Sequence, residues 1–138
     1  MKLFLDANIC LDLLDTTRPT SKASVDWYMS LKDNTSLRFY FSGDFITTFY
    51  YILSERRKID KQAVVKAIDA LSMEIEPLYL NHTDFIEAKN SFGNKSFSDF
   101  EDLMILHSAL RTKCNTFVTN DKAIMGLKVF DTLNIKKI

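Results

Sequence analysis

Residues 2–14 read Lys2-Leu3-Phe4-Leu5-Asp6-Ala7-Asn8-Ile9-Cys10-Leu11-Asp12-Leu13-Leu14, and two different patterns meet inside this stretch. Up to Leu5 the run is apolar without alternation, as in a strand covered on both faces, and it ends at Asp6. From Asn8 to Leu14 the apolar residues Ile9, Leu11, Leu13 and Leu14 suit a short helix that begins as soon as the strand ends. A strand that passes straight into a helix is the start of a crossover, the connection that parallel strands require. The residues at the junction, Asp6 and Asn8, are polar in an apolar setting.

The same alternation continues outward along the chain. Strand one, Lys2 to Asp6, and its helix are followed by a break at Thr17-Arg18-Pro19-Thr20 and a helix over Ser21 to Leu31. Leu37 to Phe41 is a second strand, and Phe45 to Arg57 a long apolar helix. Asp60 has the chemistry of an N-cap for a helix over Lys61 to Leu71, where Val64, Val65, Ile68 and Leu71 keep helical period. Glu74 to Leu80 reads as strand three, Thr83 caps a helix reaching Asn90, and Phe92-Gly93-Asn94-Lys95 is a loop. A helix over Ser98 to Arg111, strand four at Thr116 to Thr119, a helical turn at Lys122 to Met125 and strand five at Lys128 to Phe130 complete the chain. Helices and strands in this order predict a three-layer α/β/α fold with a parallel, roughly five-stranded central sheet. Residues 1–138 are expected to form one domain.

Composition narrows the function classes. The chain is 46% hydrophobic with 3 Gly and 2 Pro, which suits regular elements more than loops. No apolar run approaches the roughly 20 residues that cross a bilayer, and no signal-like segment opens the chain, so a cytoplasmic protein is expected. Cys10 and Cys114 lack metal-ligand or redox spacing and read as free thiols. The 18 basic and 18 acidic residues cancel, which argues against tight unassisted binding to nucleic acid but leaves a transient enzyme–RNA encounter open. Arg56-Arg57-Lys58 with Lys61 is the densest basic group and reads as a solvated helix end.

Four carboxylates stand where three elements would deliver them to one place: Asp6 at the end of strand one, Asp99 and Asp102 at the start of a helix, and Asp121 after strand four. In an open parallel sheet, ligands bind beyond the carboxyl ends of the strands. Carboxylates gathered there repel one another unless a hard cation such as Mg²⁺ or Mn²⁺ offsets them. Each residue also has a purely structural role open to it. Asp6 and Asp121 suit helix caps, and Ser98-Asp99-Phe100-Glu101 fits a capping box with Glu101 reaching back. That box leaves Asp102 the least explained, and so the strongest catalytic candidate of the pair. The two histidines, His82 and His107, have no companion at ligand spacing; His82 reads as exposed and His107 as a partly buried structural residue. With 3 glycines there is no phosphate-cradling loop.

Taken together these residues resemble the PIN-domain family of metal-dependent ribonucleases, which includes the VapC-like toxins of VapBC toxin–antitoxin pairs. Phe4-Leu5-Asp6-Ala7-Asn8 is similar to the family's first motif, Phe97-Ser98-Asp99-Phe100-Glu101-Asp102 to the Asp-Phe-Glu-Asp form of its third, and Phe117-Val118-Thr119-Asn120-Asp121 to its fourth. Phe45 to Leu53 looks like the helix that carries the second acidic residue, and there the chain departs: the position falls on Thr48, with Asp44 one turn earlier. The resemblance implies an endoribonuclease with catalytic Asp6, Asp99, Asp102 and Asp121, of which Asp6, Asp102 and Asp121 hold Mg²⁺ or Mn²⁺. Asn8, Thr48 and Thr119 orient ligands and water. Water attacks the phosphodiester and leaves a 5′-phosphate. A toxin role implies an RNA substrate, a protein antitoxin and a homodimer, with no membrane partner. The alternative is a PIN-like module that binds RNA or protein, its site weakened or inactivated by Thr48; a phosphatase or receiver domain fits less well, lacking paired aspartates on strand one.

Overall fold

A computed structural model describes residues 1–93 and 99–138. Its six strands are β1 (Lys2–Leu5), β2 (Arg38–Ser42), β3 (Glu76–Leu78), β4 (Thr116–Val118), β5 (Val129–Phe130) and β6 (Leu133–Lys136). They form one sheet in the order β3-β2-β1-β4-β6-β5. β1 is central: Leu5 lies opposite Phe41 of β2 on one side and Val118 of β4 on the other, both pairings parallel. β3 and β6 extend the parallel set to five strands, and β5 closes the edge antiparallel to β6. The sixth strand is absent from the sequence reading for a clear reason. Only Leu133 of Leu133-Asn134-Ile135-Lys136 is buried, and the turn before it, with Asp131 at φ 55°, lacks the glycine that marks a tight hairpin.

The seven helices among the described residues are α1 (Ala7–Leu14), α2 (Ser21–Leu31), α3 (Ile46–Tyr51), α4 (Lys61–Glu74), α5 (His82–Ser91), α6 (Phe100–Arg111) and α7 (Lys122–Met125). Successive side chains of a strand point to opposite faces. Leu3 and Leu5 of β1, with Phe39, Phe41 and Val118, pack against residues of α1 to α4 such as Ile9, Phe49, Val64 and Ile68. Phe4, Tyr40 and Phe117 pack on the other face against Ile105, Leu106 and Ala109 of α6 and Ile124 of α7. Phe4 and Phe117 stack with ring centroids 5.4 Å apart. The two cores give the expected three layers, and Cys10 and Cys114 are buried within them as free thiols.

Several local details differ from the sequence reading. The helix expected over 45–57 is three segments: a 3-10 turn at Gly43–Phe45, α3, and a π turn at Ile52–Arg56. The wider π turn ends by aiming Arg57 at Asp15, whose Oδ2 lies 3.0 Å from Nε, and Arg57 also donates to the Thr17 hydroxyl. Arg57 is therefore a tie between elements, whereas Arg56 lies over the exposed Tyr51 ring. Asn81, not Thr83, caps α5, in a reciprocal box with Asp84. α6 is capped by Asp99, with the Asp99 carboxylate accepting from the Asp102 amide; Asn94, Lys95, Phe97 and the expected cap Ser98 lie outside the described residues. Asp44 clamps rather than caps, accepting the Leu80 amide at 2.8 Å, and the Tyr79 ring beside it occupies the space that a side chain at Gly43 would fill.

Three buried aspartates carry the joints between helices. Asp12, wholly buried on α1, accepts from Arg18 Nε at 2.7 Å, Thr20 Oγ1 at 2.7 Å and Ser24 Oγ at 2.6 Å, which locks α1 to the start of α2. Asp84 takes both ends of the Arg111 fork, at 2.9 and 3.0 Å, and joins α5 to the end of α6. A buried ion pair broken on one side leaves a stranded charge and unpaired donors, at a cost of about 3–5 kcal/mol. Asp12→Ala is accordingly expected to lower unfolding free energy by roughly that amount. Urea denaturation measures it, and a loss below about 1 kcal/mol contradicts the assignment of Asp12 as the α1–α2 joint.

Candidate active site

The crossovers after β1 lead to β2 and β3 on one side, whereas β4 lies on the other side of β1. Strand order therefore reverses between β1 and β4, and the carboxyl ends of these two strands form the crevice where ligands of such sheets bind. The chain places Asp6 and Thr119 there, one residue beyond the last register pair, Leu5 and Val118. The Asp6 amide donates to the Val118 carbonyl at 2.9 Å, which continues the ladder across the junction. Thr119, wholly buried, donates its hydroxyl to Asp6 Oδ2 at 2.7 Å and accepts the Asp121 amide at 2.9 Å. One side chain thus ties Asp6 to the segment carrying Asp121.

Three of the four carboxylates are helix caps. Asp6 Oδ1 accepts from the Ala7 amide at 2.8 Å at the start of α1. Asp99 Oδ1 accepts from the Asp102 amide at 3.0 Å at the start of α6. Asp121 Oδ1 accepts from the Ala123 and Ile124 amides at 2.9 and 3.3 Å at the start of α7. Each cap engages Oδ1 alone; the second oxygen of Asp6 accepts from Thr119, and those of Asp99 and Asp121 make no hydrogen bond among the described residues. Asp102, in the first turn of α6, caps nothing.

Electrostatics joins these groups. The Asp102 carboxyl is pushed up from an ordinary value of 3.8 to about 7, first by desolvation and then by the negative charges of Asp99, Asp6, Asp121 and, least, Glu101. Asp6 is also raised: burial dominates, the Thr119 hydroxyl and Ala7 amide oppose it, and Asp121 adds to it. Among the described residues, no Lys or Arg forms an ion pair with any of the four, whereas the buried Asp12, Asp15 and Asp84 each have an arginine. Hard carboxylate oxygens with no sulfur and no imidazole among them are the donor chemistry of Mg²⁺ or Mn²⁺. No three of these side chains stand at ligand spacing among the described residues, so the geometry is that of an open cluster and not a closed cage.

The structure brings together Asp6, Asp99, Asp102, Asp121 and Thr119. Asn8, half-buried in the first turn of α1, and Thr48, exposed on α3, make no hydrogen bond to them among the described residues. Asp44 is engaged with Leu80 and does not replace an acidic residue at Thr48. His82 is exposed against Phe85, and His107 is half-buried with Nε2 2.9 Å from Ser91 Oγ, its pKa lowered chiefly by burial. What sequence reasoning misses is the support: the Arg18, Arg57 and Arg111 ties join residues up to 42 positions apart (57 − 15), and no local pattern marks them.

Comparison with known proteins bears on the family and the fold. The PIN domain family model matches residues 3–128. Ribonuclease VapC1 of Aquifex aeolicus (strain VF5) is 32% identical over 123 residues, spanning 88% of this chain and 83% of that protein. Among solved structures, VapBC2 from Rickettsia felis bound to a DNA fragment from its promoter aligns with TM-score 0.70 at 18% identity, over 100% of this chain and 99% of that one. VapC20 of Mycobacterium tuberculosis, a sarcin-ricin loop cleaving toxin, aligns with TM-score 0.69 at 12% identity, over 96% of this chain and 98% of that one. At these identities the structural likeness is one of fold.

The raised Asp102 pKa has a consequence for stability with a definite sign. Between pH 3.8 and about 7 the folded protein holds a proton that the unfolded chain has released. Stability from this group is therefore full below the unfolded value and is lost as pH rises through the folded one. In EDTA, the wild-type melting temperature is expected to fall across this window more steeply than that of Asp102→Asn, and the variant to be the more stable at neutral pH. Parallel pH profiles for the two proteins contradict the clustering of charge around Asp102.

Proposed function

The chain belongs to the PIN-domain family, and from that premise we propose that it is a divalent-metal-dependent endoribonuclease acting as the toxin of a toxin–antitoxin pair. The observation that carries the reading is the cluster of carboxylates at the β1/β4 switch point, with no arginine or lysine paired to them among the described residues; desolvation first, and then their mutual repulsion, raise Asp102 to about 7. The name of the Aquifex relative and the toxin named in a solved structure of the same fold support the substrate class and the biological role. Two of the neighbouring structures carry VapBC names, which supports an antitoxin partner for this chain; assembly as a homodimer and a cytoplasmic location belong to the same proposal. Among the described residues no helix is long and apolar enough to cross a membrane.

In this reading Asp6, Asp102 and Asp121 hold Mg²⁺ or Mn²⁺, which when bound supplies charge neutralisation at the phosphate and acidifies a water. The protein's own residues do the rest. Asp6 is held rigid by the Ala7 amide and the Thr119 hydroxyl, so its carboxylate is oriented before any ligand arrives. Thr119 acts through Asp6 and the Asp121 amide, and is a positioning residue. The Asp102 carboxyl, raised to about 7 by desolvation and the neighbouring negative charges, would have to release its proton to ligate a cation. Asp99 orients water at the start of α6 with the oxygen that its cap leaves over. Thr48 brings no charge to the second acidic position and is the observation that favours the alternative, a PIN-like binding module without cleavage.

Incubation of a mixed RNA pool with Mn²⁺, Mg²⁺ or EDTA is expected to show cleavage with the metals only, leaving 5′-phosphate ends, and Asp102→Asn is expected to reduce it to background. Wild type that is folded and partner-free yet cuts nothing in any of the three transfers the assignment to the binding module. Thr119→Val, which removes one hydroxyl and keeps the volume, is expected to lower activity or Mn²⁺ affinity by roughly 10–100-fold while the protein stays folded. An unchanged rate in that variant contradicts the positioning role.

A further inference from the structure

His82, Phe85, Lys89 and Phe92 recur along α5 and its end at helical spacing, so they share one side. The rings are in contact. His82 stacks on Phe85 with centroids 5.7 Å apart, Phe85 meets the Phe100 ring edge-on at 5.8 Å, and Phe100 meets Phe92 at 5.2 Å. Rings in a hairpin core are normally covered, but Phe85 is 39% and Phe92 48% exposed, and His82 and Lys89 are open to solvent. The ladder leads to the carboxylate cluster, because Phe100 is the residue directly after Asp99 and two before Asp102.

We propose that this ladder is the surface on which unpaired RNA bases flanking the cleaved phosphodiester stack, with Lys89 facing their phosphates. The proposal rests on the nuclease reading above and names how that site takes its substrate. Every base has a π face, and stacking on protein rings is available only to bases free of a duplex. A lysine within the aromatic stripe supplies the charge complement that a phosphate chain needs. That positive group also separates this face from a purely apolar one that a second protein would cover. Ladder and carboxylates together make selection for unpaired RNA a property of α5 and the start of α6, separate from the chemistry at Asp6, Asp102 and Asp121.

The test compares wild type, Phe85→Leu and Phe85→Trp by fluorescence anisotropy on a short unpaired RNA and on its duplex, in EDTA, with melting temperature and oligomeric state measured alongside. Loss of one stacked base weakens binding by roughly tenfold. Phe85→Leu is expected to show that loss on unpaired RNA alone, and Phe85→Trp to restore it, with folding and oligomeric state unchanged in both. In cleavage assays Phe85→Leu raises KM and leaves kcat near wild type. Equal affinity of wild type and Phe85→Leu for unpaired RNA overturns the ladder and leaves the nuclease reading intact. A lowered melting temperature or a change in oligomeric state that accounts for the weaker binding also overturns it, and assigns the rings to packing or to a second copy. Wild type that neither binds nor cuts RNA overturns the nuclease reading itself.

Discussion

The hydrogen bond from Thr119 to Asp6 joins two strands that are neighbours only because the chain reverses direction across the sheet between them. It is buried and one partner is a carboxylate, the combination in which a single hydrogen bond contributes most, about 1.5–3 kcal/mol. Its geometry depends on the parallel register of Leu5 with Val118, and that register depends on Phe4 and Phe117 stacking on one face while Leu5 and Val118 pack on the other. The orientation of Asp6 is thus inherited from the core. Asp121 follows, because its amide is bound to the same hydroxyl.

Much of this was readable from residues 2–14 and 116–121, where strand pattern, abrupt polar stop and helix start are all local. The four carboxylates were legible for the same reason: each stands at an element boundary, and boundaries at the carboxyl edge of a parallel sheet converge. The cap roles open to Asp6, Asp99 and Asp121 are realised, each cap engaging one carboxylate oxygen. Less was legible where structure is made by distant partners. The π turn at Ile52–Arg56 is set by what Arg57 reaches, and β6 exists because Leu133 fills the core beside Phe117, although its neighbours are polar. Asn81 displaced Thr83 as a cap because Asp84 returns its hydrogen bond.

The aspartates of this protein divide into two populations. Asp12, Asp15 and Asp84 are buried and neutralised by Arg18, Arg57 and Arg111, and they hold helices together. Asp6, Asp102 and Asp121 have no such neutralisation among the described residues, and desolvation together with the neighbouring negative charges raises the Asp102 pKa to about 7. The paired set ties α1 to α2 and α5 to α6, the elements that carry the unpaired carboxylates against their mutual repulsion.

Both margins of the sheet are blunt. β3 has Pro77 in its middle, which removes a backbone donor from that margin, and β5 at the other is two residues long, flanked by Lys128 and Asp131 in left-handed conformation. Neither offers the row of free amides and carbonyls that a further strand would need. Neither margin readily takes a further strand, so the molecule is guarded against the strand-by-strand growth that underlies fibrous aggregation.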